Sequence, residues 1–518
     1  MSAPAPAPKS LYALLTALAA ASCAAYLGYV LILYGGLEGY LDHIEPNIAI
    51  STLRFLEGRP LFQGFDEWPK IGSYGPLVYL IHAFVFKLGG VSVLIGKVGG
   101  LVVSAGIVLV FYIYSHQRFG PLKAGVGVLL VVGLMLIYSP YSFWNRPDPF
   151  ILFLVTVAVF AKDMSSDRWG RWTPHAVVGI CIGLAVNLKL HSFFYFLPIA
   201  VDLCGWKNIR EMIVIGLIAV FVFLLPFAHP QISLLKYLDR MFGSISIRGG
   251  LDTGMFVSAL KYSLFFLSPG LLLAGLMARG RNHIASKDAV YFAALAATTA
   301  MALYPSSIIG TGNYHLLPLL PVTVDAILRL AGGFDDEPRL QKSIFIIIPL
   351  IFLMISLPVQ RRLMRNLDRI AGENVAGEIH KIINDYKGET VQMGFGHSFE
   401  GYRFSFYKPI LIFAGQPGTV DAQEAMEYKS IGLDPADKFA AELATCDTRH
   451  WLIPKGEKPF ALPSFYGDPS LFGRAADVFL EKYAKTESLL YYDVWSCKDS
   501  VSANPSLVTL FAKKTIPK

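Results

Sequence analysis

The chain has 518 residues, of which 54% are apolar and only 16% charged, and its mean hydropathy is +0.49. Soluble proteins carry about a quarter charged residues, so the composition excludes a wholly soluble enzyme and indicates a polytopic membrane protein. The net charge of +7, from 45 basic and 38 acidic residues, is spread in short clusters between apolar runs, with no platform of interleaved aromatic and basic residues, which argues against nucleic-acid binding.

Residues 1–10 are rich in Pro and Ala. Leu11–Tyr34 is apolar over about 24 residues, too long for a signal-peptide core and without a convincing cleavage site, and is expected to be a retained span. Further apolar runs lie near 92–114, 121–138, 149–161, 174–188, 193–203, 211–228, 255–277, 288–303, 315–330 and 343–358, giving about eleven spans. Several are shorter than about 20 residues and must be tilted or sheltered by neighbours. If the N-terminus is cytoplasmic, the inner loops 115–123, 162–173, 204–210, 278–287 and 330–342 each hold at least two Lys or Arg. The opposite loops, near 140–149, 187–192 and 304–315, hold one basic residue or none besides histidine. This matches the positive-inside pattern. Arg361, Arg362, Arg365 and Arg369 oppose it after the last run. An odd number of spans puts the C-terminal part outside, an even number in the cytoplasm.

From about residue 359 the composition changes, with strand-like Val391–Phe395 and Ile410–Phe413, helix-like Asp421–Tyr428, and frequent Gly and Pro. About 160 residues suffice for one soluble α/β domain. The expected fold class is therefore mainly α: a membrane helix bundle over 1–358, with a first outer loop at about 35–90, followed by a soluble α/β domain over 359–518. Cys446 and Cys497 would form a disulfide in an external domain, or stay separate thiols in a cytoplasmic one. Neither an internal repeat nor an acidic residue in mid-span is evident, which weighs against the alternative of a transporter or lipid flippase.

Chemistry concentrates in four loops on one membrane face. The first holds Asp42, His43, Glu45, Lys70 and Tyr74-Gly75-Pro76, with Asp42 and Glu45 on one helical face if the helix continues. Carboxylates at a membrane boundary are costly to desolvate and often mark a site. The second loop holds Arg146 and Asp148, the third Asn187, Lys189 and His191, and the fourth Asn313, Tyr314 and His315. Asp42, His43, Glu45 and Asp148 can also supply hard ligands to a divalent ion such as Mg or Mn, although no tight metal-binding spacing occurs. No Walker A or dinucleotide fingerprint is present.

An acidic residue before proline (Glu45-Pro46), the Gly-x-Pro-Leu segment at 58–61, Tyr74-Gly75-Pro76-Leu77 and Arg146-Pro147-Asp148-Pro149 follow one another in an order that resembles the GT-C glycosyltransferase superfamily, in particular the lipid A aminoarabinose transferase and protein mannosyltransferase group. The resemblance covers about residues 10–360 and implies inverting transfer of a sugar from a polyprenyl-phosphate carrier to a cell-envelope glycan or lipid acceptor, without a required cofactor. It implies Glu45 or Asp42 as general base, with a preference for Glu45 because it precedes the proline, and Asp148 as orienting group. Ile44 stands where that group has an aspartate, and Tyr74-Gly75 stands where relatives have a phosphate-binding lysine and a proline. Lys189, Arg248 or Lys70 would then neutralise the phosphate. His43, Tyr74, Arg146, His191, Asn313 and His315 are the expected substrate contacts. The implied location is a bacterial inner membrane, with the site and C-terminal domain facing the periplasm.

Overall fold

The computed structural model describes residues 9–63, 74–164, 166–247, 250–279, 286–334, 338–418, 421–430, 432–464 and 470–498. The chain forms α1 (Lys9–Gly35), α2 (Ile44–Leu56), α3 (Pro76–Gly89), α4 (Val93–Phe119), α5 (Pro121–Ile137), α6 (Pro147–Ala161) and a short α7 (Ser166–Trp169). It continues with α8 (Thr173–Val186), α9 (Leu197–Cys204), α10 (Ile209–Leu224), α11 (Leu234–Ile247), α12 (Thr253–Arg279), α13 (Ser286–Ser306), α14 (Leu320–Gly332) and α15 (Pro338–Gly372). In α3, α5, α6, α8, α9 and α14 a proline stands at the first or second position, where the missing N–H is no loss and the fixed φ suits the helix. Gly120 makes the turn from α4 to α5 at φ +83°, a conformation that other residues resist, and donates its N–H to the His116 carbonyl.

Every apolar run read from the sequence is helical. Among the described residues seven helical stretches are long and apolar enough to cross a membrane, and five shorter apolar helices accompany them. This is a multi-pass membrane protein. The segment read as one outer loop, 35–90, instead contains α2 and the apolar α3. α5 and α14 are buried over nearly their whole length, whereas α10 and α12 turn Leu217, Phe221, Leu264 and Leu271 outward, as lipid-facing helices do.

A buried ionic network lies at one end of the bundle, and it includes Asp325 of the apolar run 315–330. Asp325, fully buried in α14, accepts from Lys162 Nζ at 3.0 Å, Arg329 Nε at 3.0 Å and the Tyr291 hydroxyl at 2.8 Å. Asp202 of α9 pairs with Lys162 at 3.2 Å and with Arg329. Arg329 is the neighbour of Asp325 one turn on in α14, whereas Lys162 and Tyr291 arrive from distant parts of the chain, which no local pattern reveals.

α15 runs unbroken past residue 359 to Gly372 and leads into α16 (Val375–Asp385). Beyond it come β1 (Val391–Met393), α17 (Phe399–Tyr402), α18 (Lys408–Phe413), α19 (Ala422–Ser430), α20 (Ala436–Thr445), β2 (His450–Pro454), α21 (Gly473–Lys482), β3 (Tyr483–Ser488) and β4 (Tyr492–Cys497). The strand order is β1-β2-β4-β3; β1 and β2 are parallel, and the other pairings are antiparallel. Cys446, after α20, is bonded to Cys497 at the end of β4. Ile410–Phe413, expected as a strand, belongs to α18: Pro409 in its first turn removes a ladder donor and favours the helix. One hydrophobic cluster joins Val375, Ile379, Tyr407, Ile410 and Leu452 of this region to Tyr40, Ala49, Phe86 and Val93, so the sheet region is seated on α2, α3 and the start of α4.

Removing one partner of a buried ion pair costs about 3–5 kcal/mol, since the remaining charge stays desolvated. Asp325→Ala should therefore lower the thermal midpoint of the detergent-solubilised protein markedly; an unchanged midpoint would show that the network does not hold the bundle together.

Candidate active site

The loop between α1 and α2 is fixed from below. Lys97, buried in α4, donates to the carbonyls of Tyr34 at 2.9 Å, Leu37 at 2.7 Å and Gly39 at 2.7 Å, capping the end of α1. Glu45 accepts from the Leu41 N–H at 2.9 Å, the Asn145 N–H at 3.3 Å and the Tyr34 hydroxyl. Asp42 then accepts the N–H groups of Ile44 at 2.9 Å and Glu45 at 3.2 Å through Oδ1, at the positive end of α2. Its other oxygen, Oδ2, receives Arg146 Nη1 at 3.0 Å.

Arg146 immediately precedes α6, and Asp148 lies in the first turn of that helix. Lys189 Nζ donates to Asp148 Oδ1 at 2.6 Å, while Arg146 Nε stands 3.6 Å from Asp148 Oδ2. Asp42, Arg146, Asp148 and Lys189 thus form a chain of alternating charges. Aromatic rings border it: the Arg146 guanidinium is 4.1 Å from the centre of Trp144 and 5.1 Å from that of Tyr314, and Lys189 Nζ is 5.0 Å from Tyr314. Tyr314 stacks on Tyr141 at 5.1 Å. Tyr74 is placed by a close backbone approach. Gly75 donates to the Leu188 carbonyl at 3.1 Å, and a Cβ on it would lie 2.0 Å from the Asn187 carbonyl oxygen. That contact explains the glycine in the Tyr-Gly-Pro-Leu segment.

Asp42, Arg146, Lys189 and the aromatic rings beside them line one cavity of about 770 Å³. Asp42, His43, Tyr74, Arg146, Lys189, His191 and His315 all reach it. The further lining comes from Arg240 and Met241 of α11, Arg362 and Asn366 of α15, and Gln423 and Met426 of α19. Asp148 Oδ2, Arg146 Nε and His191 Nε2 are buried without a hydrogen-bond partner, as in a pocket built to receive a polar ligand. Burial lowers the pKa of Lys189, and Asp148 opposes that shift.

No family model and no curated protein matches this sequence. Solved structures do. ArnT from Cupriavidus metallidurans in the apo state is similar with a TM-score of 0.56 at 11% identity, over 91% of this chain and 97% of that one. ArnT bound to undecaprenyl phosphate gives a TM-score of 0.54 at 11% identity, over 95% and 98%. The chain shares the fold of ArnT, the GT-C fold that the sequence resemblance implies.

Within this GT-C fold the loops expected to converge do so, but their residues divide. Asp42 keeps 15% of its side chain exposed at the cavity, whereas Glu45 is fully buried behind it and does not line it. Asp148 also sits behind the wall and acts through Lys189 and Arg146. Asn313 turns aside, its amide donating to Ser258 Oγ at 3.0 Å. Lys70 and Arg248 lie outside the described residues. The proposed hard-ligand set of Asp42, His43, Glu45 and Asp148 does not converge on one point: Asp42 and His43 reach the cavity, whereas Glu45 and Asp148 lie behind its wall. The sequence reading did not identify Lys97 or the lining from α11, α15 and α19. Lys97 left a signal, as the single charge within the run 92–114. Arg362 left another, as one of the arginines opposing the charge bias; its place at the cavity gives that exception a local reason.

Burial, and then Asp42, raise the Glu45 carboxyl from 4.5 to about 7, against its hydrogen bonds and Lys97, which lower it. The folded chain holds a proton there that the unfolded chain releases, so this contribution to stability is full below the unfolded value and is lost as pH rises through about 7. In Glu45→Gln the difference in thermal midpoint between about pH 5 and about pH 8 should shrink. A difference equal to that of the parent would assign the pH dependence to other groups.

Proposed function

We propose that this protein is an integral-membrane glycosyltransferase that moves a sugar from a polyprenyl-phosphate carrier to a hydroxyl of a cell-envelope glycan or lipid. The observation that carries this reading is a single cavity wall presenting a carboxylate, Asp42, next to two cations, Arg146 and Lys189. ArnT, of the same fold, has been solved with undecaprenyl phosphate.

In this reading Asp42 takes the proton from the acceptor hydroxyl as its oxygen attacks the anomeric carbon. The bond from that carbon to the phosphate oxygen breaks with inversion, and the polyprenyl phosphate leaves with one additional negative charge. Arg146 and Lys189 stabilise that charge, in surroundings where such contacts are stronger than in water. Asp148 is a positioning residue that holds Lys189 at 2.6 Å. Tyr74, Tyr314, His191 and His315 shape the sugar pocket, and His43 flanks the base. Residues 1–358 provide the membrane part and 359–518 the external part, which faces the periplasm of a bacterial inner membrane. The Cys446–Cys497 bond supports an oxidising compartment.

The test is release of polyprenyl phosphate from a polyprenyl-phosphate sugar by the purified protein, in the presence of envelope lipid as acceptor. A positioned base is worth about 10²–10⁴ in rate, so Asp42→Asn should lose that much turnover while Glu45→Gln keeps most of it. Lys189→Ala should weaken donor use, and Lys189→Arg should restore part. Carrier release at the parental rate in Asp42→Asn would refute the base assignment. Movement of intact donor across the bilayer without bond cleavage would instead establish a flippase.

A further inference from the structure

α8 leads away from the cavity: Lys189 follows its last turn and His175 lies in its first, roughly 20 Å off at 1.5 Å per residue. There the ends of three helices meet. His175 of α8, Cys204 at the end of α9 and Glu211 in the first turn of α10 are all buried, and one ligand atom from each lies within 4.8 Å of the other two. His175 Nδ1 is 3.2 Å from the Arg171 carbonyl oxygen, so that nitrogen carries the donated proton. Nε2 is thereby turned towards Glu211 Oε2 at 3.1 Å. The other carboxylate oxygen, Oε1, receives Arg171 Nη2 at 2.9 Å.

We propose that His175, Cys204 and Glu211 bind a transition-metal ion of the zinc class. A backbone carbonyl that accepts from one imidazole nitrogen fixes the tautomer and presents the other nitrogen as a ligand, the usual outer-shell arrangement of a metal-bound histidine. Tetrahedral bonds of about 2.0–2.1 Å to nitrogen and oxygen place those ligand atoms about 3.3 Å apart, close to the spacing present here. One nitrogen, one sulfur and one oxygen suit zinc, not magnesium or manganese, which prefer oxygen ligands throughout. A plain imidazolium–carboxylate pair accounts for His175 and Glu211 but gives the converging thiol no role. With three protein ligands the fourth position remains for water. The ion would tie together α8, α9 and α10. α8 and α10 already approach closely along Gly179 and Gly183, where a Cβ would lie 2.9 Å and 2.5 Å from the carbonyl oxygens of Ile215 and Ala219.

The test uses the full-length protein in detergent, with its affinity tag removed and washed with chelator. Titration with cobalt(II) should produce a thiolate-to-cobalt absorption together with tetrahedral ligand-field bands, and zinc should displace them at one equivalent per chain. Cys204→Ser should abolish the thiolate band, whereas Cys181→Ser and Cys23→Ser should keep it. His175→Gln should weaken zinc binding by more than the roughly 10–100-fold that loss of an outer-shell partner costs. The band in the unmodified protein needs no variant, so the proposal stays testable even where a substitution fails to fold. Absence of that band in the parent, or its survival in Cys204→Ser, would overturn the site and leave an imidazolium–carboxylate pair only.

Discussion

The geometry of the cavity depends on one buried ammonium group. A helix that ends inside a membrane protein leaves carbonyls with no water to bond, and unsatisfied groups there are costly. At the end of α1 Lys97 donates to three carbonyls, those of Tyr34, Leu37 and Gly39, and its positive charge faces the negative end of the helix dipole. This fixes the path of the loop that follows. Glu45 completes the arrangement by gathering Leu41, Asn145 and Tyr34, so that the loop before α2 and the loop before α6 are joined. Asp42 and Arg146 meet as a consequence.

Charge is concentrated at the two ends of α6. One end carries Asp148 with Lys189 and Arg146, the other Lys162 with Asp325 and Asp202. The groups differ in how fully they are satisfied. Asp325 accepts from four basic or hydroxyl groups, Lys162, Arg329, Tyr291 and Tyr114, and is sealed among α4, α6, α13 and α14, whereas Asp148 keeps one oxygen without a hydrogen-bond partner beside a large cavity. A fully satisfied network serves rigidity. A partly satisfied one next to empty volume serves a ligand.

Access to the cavity, not hydrogen-bond satisfaction, separates Asp42 from Glu45. Both are carboxylates at the start of α2, three residues apart. Glu45 accepts three hydrogen bonds in a closed space and fixes the loop; Asp42 reaches the cavity with a cation beside it. A base must meet its substrate, so position decides the assignment before acidity does. The C-terminal region contributes as well, because its shared core with α2, α3 and α4 carries α19 over the cavity, where Gln423 and Met426 form part of the wall.

The sequence by itself determined the membrane class, the place of each long apolar helix and the loops that meet at the cavity. Those features are local: hydropathy over some twenty residues, and prolines that start helices, need no distant partner to be read. Only the tertiary structure decided which carboxylate faces the cavity, because Asp42 and Glu45 stand three residues apart, one just before α2 and one in its first turn, and are told apart by Lys97, Asn145 and Arg146, which arrive from elsewhere in the chain. It also decided that Asp325 is paired and that α11, α15 and α19 complete the wall. A buried charge is tolerated only with its partners, and those that lie far off in sequence, as Lys162 does from Asp325, leave no local pattern by which to find them.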